Sequence, residues 1–273
     1  MDPKMSREEM AEGKMNKHFI LVHGACHGAW SWYKLKLLLE SAGHRVTSLD
    51  LAASGINMKK LHEVLTISDY SQPLMETMAS LPPKERVILV GHSLGGLNLA
   101  VAMDKFPEKI YAAVFVTAFM PDTAHRPSYV MDKYVEITPA DAWLDTQFSQ
   151  YGRPEKPATS MVFGPKFVSS KLYQLSSLQD ATLGMMLIRP GSLFLEDLAE
   201  AEMFSKEGYG SVARVFVVCK EDAAITEEFQ RWMIENDEGV KEVKEIEGAD
   251  HMPMLSKPEE LCRCLLDIGH SYS

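Results

Sequence analysis

Val87-Ile88-Leu89-Val90-Gly91-His92-Ser93-Leu94-Gly95-Gly96 opens with an apolar run and closes on a pair of glycines. The run does not alternate with polar residues, so it predicts a strand buried on both faces rather than one with a wet side. From Gly95 to Phe106 the apolar spacing is helical, and Pro107 ends it. Only a sharp turn fits between strand and helix, and Ser93 stands at its apex in a GxSxG pattern. So tight a turn forces the serine into a strained backbone conformation. Side chains at positions 91 and 95 would collide with neighbouring backbone, which makes both glycines a physical need.

Outward from this stretch, similar apolar runs recur. Phe19–Val22 precedes His23-Gly24, Ala112–Val116 precedes Thr117, and Val215–Val218 ends at Cys219-Lys220. Helical patterns separate them, over Trp32–Ala42 before Gly43 and over Tyr70–Leu81 before Pro82-Pro83. A short strand is expected at Val243–Ile246 and a last helix at Pro258–Ile268. Alternating strands and helices predict an α/β fold with a mostly parallel sheet. Between about 121 and 211 the alternation stops. No convincing pair of buried strands is found there, only aromatic and Met-rich segments broken by prolines. The simplest expectation is a cap inserted over the sheet edge, within one domain spanning 17–273. Residues 1–16 are polar and mixed in charge, as expected of a flexible tail ahead of the fold. They have no apolar core of a secretory signal.

With 273 residues and 46% hydrophobic content, the chain can bury one large core, although length alone also permits two small domains. Its net charge of −10 opposes binding to phosphate backbones or anionic lipid, so neither nucleic acid nor a membrane is an expected partner. No apolar run approaches the roughly 20 residues a membrane span needs. Cys26, Cys219, Cys262 and Cys264 show no paired spacing and are expected as reduced thiols in a cytoplasmic protein. Clusters suited to a metal are absent, and no cofactor is expected.

A serine hydroxyl is a poor nucleophile near neutral pH. It needs a base within hydrogen-bond reach and a group that orients that base. After a strand-turn-helix elbow the expected chain order is serine, acid, histidine, the pattern of the α/β-hydrolase fold. His251, in Gly248-Ala249-Asp250-His251-Met252, lies in a loop after the last strand and is the candidate base. Asp222, at the end of the strand before it, is the candidate acid. Glu221 should point to the other side of its loop, and Asp250 is too close in sequence to reach back to the ring. An oxyanion also needs donors. The Leu94 N–H lies at the positive end of the helix after the elbow, and Ala25 in the small-residue loop His23–Gly28 supplies the second.

At this point a family resemblance becomes specific. His-Gly-Ala-Cys-His-Gly-Ala-Trp at 23–30, Leu-Asp-Leu-Ala-Ala-Ser-Gly at 49–55, Gly-His-Ser-Leu-Gly-Gly at 91–96 and Gly-Ala-Asp-His-Met at 248–252 resemble the plant methylesterase family and its relatives, the α-hydroxynitrile lyases. The resemblance runs from about Lys17 to the C-terminus and includes the cap segments 143–148 and 163–167. It implies a cofactor-free esterase for small apolar esters, with Ser93, Asp222 and His251 as a triad and Ala25 and Leu94 as oxyanion donors. It further implies Gly24, Trp143, Phe148, Met161 and Phe163 as substrate-binding positions, and a homodimer. The aromatic and Met residues could equally form the cap's own small core. The lyases place Thr and Lys where this chain has Gly24 and Met252, so both positions favour hydrolysis. Two departures stand out. Thr226 replaces a proline usual in the acid loop, which bears on loop stiffness. An extra acidic residue near Asp237-Glu238 is expected to alter a surface turn. Other readings of the same residues are a lyase, an alkaloid esterase whose product loses CO₂, and a binding module without chemistry; an intact triad opposes the last.

Overall fold

The computed structural model describes residues 16–272. The flexible tail expected over 1–16 lies outside them, apart from Asn16, whose side-chain oxygen accepts from the Arg45 N–H at 3.1 Å. Nine strands are described: β1 His18–Val22, β2 Arg45–Leu49, β3 Val87–His92, β4 Ile110–Val116, β5 Gln147–Arg153, β6 Lys156–Val162, β7 Gly191–Ser192, β8 Arg214–Cys219 and β9 Val240–Ile246. The main sheet runs β2-β1-β3-β4-β8-β9, and every pairing in it is parallel.

β1, β3 and β8 are buried along their whole length, which is why they are apolar except for His18, His92 and Arg214 at their ends. The period of two then sends neighbouring side chains to opposite faces. Ile20 and Val22 join Leu74, Met78, Leu97 and Met103 under the helices Ile67–Ser80 and Gly95–Lys105. Phe19 and Leu21 join Leu35, Leu39, Leu265 and Ile268 under the helices Tyr33–Ser41 and Pro258–Ser271. The helix at 67–80 starts earlier than its apolar spacing indicates. Thr66 Oγ1 accepts from the Asp69 N–H at 2.9 Å while the Asp69 carboxylate accepts from the Thr66 N–H at 3.2 Å, so the two residues cap it reciprocally. Among the described residues no helix is long and apolar enough to cross a membrane.

The edge strands carry the differences from expectation. β2, Arg-Val-Thr-Ser-Leu, was not anticipated because only one of its residues is buried, and it lacks an apolar run. β9 begins three residues before the expected Val243, since its outer side chains alternate into water. The stretch 121–211 does hold strands: β5 and β6 form an antiparallel hairpin, and β7 adds to β6. β5 is mostly exposed and polar, so it leaves no apolar trace. The same stretch holds the helices Ser128–Ile137, Leu178–Leu187 and Leu195–Glu200. Met131, Tyr134, Met161, Leu193 and Phe194 from this stretch share an apolar cluster with Phe115 of the sheet and Leu97 of the helix Gly95–Lys105.

The acidic pair at 237–238 does lie in the turn before β9, with Glu238 exposed, but Asp237 is buried, accepting from Arg214 Nε at 2.6 Å and Nη2 at 2.8 Å. Arg214 is itself buried at the start of β8, and a guanidinium enclosed there needs a countercharge. Thr226 caps the helix Glu227–Glu235, its hydroxyl accepting from the Phe229 N–H at 3.4 Å. Its φ of −56° is one that proline also adopts, so a capping bond stands where a ring would have stiffened the loop.

Candidate active site

Ser93 sits between the end of β3 and the helix that begins at Gly95, with φ at 54°. That left-handed conformation is uncommon for a residue with a Cβ and costs on the order of 1–3 kcal/mol, so the surroundings have to enforce it. They do so through the Ser93 carbonyl, which accepts from the N–H groups of Gly96 at 3.1 Å and Phe119 at 3.0 Å. A Cβ at Gly91 would lie 2.9 Å from the Gly95 carbonyl oxygen, and one at Gly95 would lie 2.8 Å from that of Val22. Both glycines are therefore required by close backbone approach, as the turn's tightness implied.

The loops after β8 and β9 bring the acid and the base together. Asp222 Oδ2 lies 2.7 Å from His251 Nδ1 and accepts from Thr117 Oγ1 at 2.6 Å. Its Oδ1 accepts from the N–H groups of Ala224 at 2.7 Å and Ile225 at 2.9 Å. The carboxylate is thus buried but has partners on both oxygens. The neighbouring acids are occupied elsewhere. Glu221 Oε2 accepts from the Gly248 N–H at 2.6 Å, bracing the base loop. Asp250 accepts from the Leu175 N–H at 3.0 Å, from Ser176 Oγ at 2.8 Å and from the Met252 N–H at 2.9 Å, tying the base loop to the cap.

The loop after β1 is shaped by two histidines. His23 Nδ1 donates to the Gly24 carbonyl at 2.8 Å, and its Nε2 accepts from the Leu51 N–H at 3.1 Å. His27 Nδ1 donates to the Ala25 carbonyl at 2.8 Å, leaving Nε2 to accept from the Tyr173 hydroxyl of the cap at 2.8 Å. Carbonyls only accept, so these partners fix both tautomers. Burial pushes each imidazole down to about 4, and both rings stay neutral near pH 7. Cys26 holds φ at 63°, and its Sγ contacts the Met161 carbonyl at 3.5 Å. Burial raises its thiol to about 12, which keeps it protonated.

Ser93, His251 and Ala25 line one cavity, with about 330 Å³ of empty space. Of the expected pocket residues, Trp143, Met161 and Phe163 line it too. Phe148 does not. It is 47% exposed and lines a neighbouring, open pocket, which shares Trp143, Met161 and Leu193 as a wall. The cap sheet explains this: β7 approaches Cys26, β6 lies next to it, and β5, which carries Phe148, is outermost. Phe148 instead meets Trp143 edge-on, with ring centroids 5.4 Å apart. Gly24 lies against Ser93 and His92 rather than on the cavity wall. Leu94 buries its side chain in the core, leaving its backbone N–H at the foot of the helix. Met252 is wholly buried in the apolar cluster beneath the sheet and is not part of the cavity lining.

Sequence reasoning missed Thr117, Phe119, Tyr134 and Ile225, all at the site. Thr117, Phe119 and Ile225 follow β4 and β8 closely, where the loops of a parallel sheet emerge, so strand ends were an available signal. Tyr134 had none, being one of several aromatics in the cap. Its hydroxyl donates to the Ala224 carbonyl at 3.1 Å, which joins the cap to the acid loop.

A parallel sheet with a strained serine after β3, and an acid and a histidine on the loops after β8 and β9, defines the α/β-hydrolase class. Residues 19–263 match the Alpha/beta hydrolase family. The chain is 62% identical over 260 residues to salicylic acid-binding protein 2 of Nicotiana tabacum, covering 95% of this chain and 100% of that protein. It is 56% identical to methylesterase 1 of Arabidopsis thaliana over 264 residues, covering 96% of this chain and 100% of that one. The crystal structure of polyneuridine aldehyde esterase superposes with a TM-score of 0.91 at 56% identity, covering 93% of this chain and 100% of that one. The chain belongs to the plant methylesterase family of α/β hydrolases. Its activity is the hydrolysis of esters.

Proposed function

We propose that this protein is a serine-dependent methylesterase for small apolar carboxylic acids, working without a cofactor. The observation that carries the reading is the opening of Ser93 and the Asp222-supported His251 into one largely apolar cavity. In this account His251 takes the Ser93 proton as the oxygen attacks the ester carbonyl. The N–H groups of Ala25 and Leu94 hold the oxyanion, and His251 protonates the departing methanol. His251 then activates a water that releases the acid. Asp222 orients the ring and stabilises its cationic form.

The acyl part lies against Trp143, Met161 and Phe163, with Phe119 and Tyr134 completing the enclosure. Apolar aromatic walls suit salicylate-, jasmonate- or indole-acetate-like acids and alkaloid esters alike. Gly24 supports hydrolysis over the lyase reading, because a side chain there would press on Ser93 Cβ at 2.8 Å. The test is a mass-spectrometric screen against a panel of methyl esters together with a cyanohydrin. Acid and methanol should form from at least one ester, with cyanide release no faster than background. Cyanide released faster than any ester is cleaved would overturn the reading.

A further inference from the structure

His92, the residue before the serine, is 1% exposed and takes no part in the mechanism above. Its Nε2 lies 2.6 Å from the backbone carbonyl oxygen of His251, and the two imidazole rings are 4.6 Å apart between centroids. A carbonyl can only accept, so Nε2 carries the proton. In a neutral ring Nδ1 is then a bare acceptor. Nδ1 is buried with no partner and faces Gly24, where an added Cβ would come within 2.9 Å of it. The opposite tautomer would lose the bond to His251 and bring nothing in exchange.

We propose that His92 is a positioning residue for His251: its Nε2–H···O=C bond holds the main chain of the base in register with the neighbouring Ser93. This rests on the reading of His251 as the base. The imidazole of His251 is oriented from one side by Asp222. That contact fixes the ring, while the carbonyl of the same residue is held separately by His92. The base loop is also anchored by Glu221, whose carboxylate accepts from Gly248 and whose N–H donates to the Ala249 carbonyl at 3.1 Å, and by Asp250 at the cap; none of these belongs to the element that carries the serine. The His92 bond does, because β3 holds His92 in its ladder opposite Val116 and Ser93 follows directly. Nucleophile and base are therefore joined through one peptide, one imidazole and one hydrogen bond.

A protonated His92 would keep this bond but would place a second positive charge 4.6 Å from the base that must itself become cationic. The titratable groups around His92 are His251, His27 and His23, with Asp222 beyond His251; Trp32 meets it edge-on at 6.2 Å. Burial first, and then the neighbouring imidazoles, hold its pKa well below the ordinary value. His92 therefore stays neutral while His251 becomes cationic during turnover, and adds no repulsion to that charge.

The test compares His92→Phe, which keeps a ring but loses the donor, with His92→Gln, which keeps a donor. Active sites are counted with a serine-directed phosphonate, so misfolded protein does not enter the rates. His92→Phe should lower kcat about 100-fold, the usual order for a small misplacement of reacting groups, with KM within about three-fold. His92→Gln should recover at least about ten-fold of that loss. If His92→Phe does not fold, His92→Asn, too short to reach the carbonyl, carries the same expectation. An unchanged kcat per active site in a donor-less variant would overturn the proposal, as would equal losses with and without the donor. Neither result touches the hydrolase reading, which is tested separately by Ser93→Ala and by the ester and cyanohydrin panel.

Discussion

Asp222 Oδ2 is shared between two partners, His251 Nδ1 at 2.7 Å and Thr117 Oγ1 at 2.6 Å. One oxygen thus orients the base while a residue from β4's end orients the acid. The neighbouring Glu221 and Asp250 point away to the base loop and the cap. Asp222→Asn should therefore lower kcat by about 10⁴, because an amide there favours the wrong imidazole tautomer. Glu221→Gln should stay within about ten-fold of the parent. Steady-state kinetics on the three variants, with Asp250→Asn as the third, rank them. Asp250→Asn proving the most damaging would show that the acid has been misassigned.

Thr117→Val should keep the shape and remove the hydroxyl. A buried hydrogen bond to a charged group is worth about 1.5–3 kcal/mol, and part of that acts on the orientation of Asp222. The expected outcome is a kcat about ten-fold lower with KM little changed, read by kinetics, and a lower Tm by calorimetry. Unchanged kcat would mean that the backbone N–H groups of Ala224 and Ile225 orient the acid unaided.

Arg214 and Asp237 form a buried pair at the start of β8, the opposite end of that strand from Asp222. Removing one partner leaves the other charge enclosed, at a cost of about 3–5 kcal/mol. Asp237→Ala should lower the denaturant midpoint accordingly while kcat of the folded fraction stays near the parent's. A variant with full stability and altered kcat would contradict this separation of roles.

Acid should destabilise the protein in a particular window. His23 and His27 are held at about 4 by burial, against an ordinary 6.5, and burial depresses His92 as well. Between pH 6.5 and about 4 the unfolded chain binds protons that the folded one refuses, so stability falls as pH drops through that range. Above about pH 7 the effect vanishes, since both states are neutral. His23 and His27 can each remove up to about 3 kcal/mol by pH 4. Thermal melts at pH 7.5, 6 and 5 should show Tm falling across the last two. A flat Tm down to pH 5, above most carboxylate titration, would contradict the neutral-histidine account.

Much of this architecture was legible because burial writes itself into composition. The central runs of β1, β3, β4 and β8 are apolar since both of their faces are covered, and the elbow's glycines have no substitute at backbone distances under 3 Å. Chain order then placed Asp222 and His251. What escaped was wherever water covers one side. Edge strand β2 and the cap hairpin carry polar sequences that could equally be loop. Phe148 shows the limit of residue type: its aromatic character fits a pocket, yet its strand is the outermost of the cap sheet. Asp237 shows another, because only the fold reveals that Arg214 waits beside it.

The central claim is that Ser93 is the atom source of catalysis, and one paired measurement tests it directly. The parent protein and Ser93→Ala are given the best methyl ester from the panel, and a serine-directed phosphonate is followed by intact mass and peptide mapping. The account predicts one phosphonate per chain on Ser93 in the parent, none in the variant, and ester turnover lowered by about 10⁴ to 10⁶ in a variant with parent-like secondary structure. A folded Ser93→Ala protein that keeps a tenth of the parent's turnover, or labelling of another serine with Ser93 untouched, would contradict it.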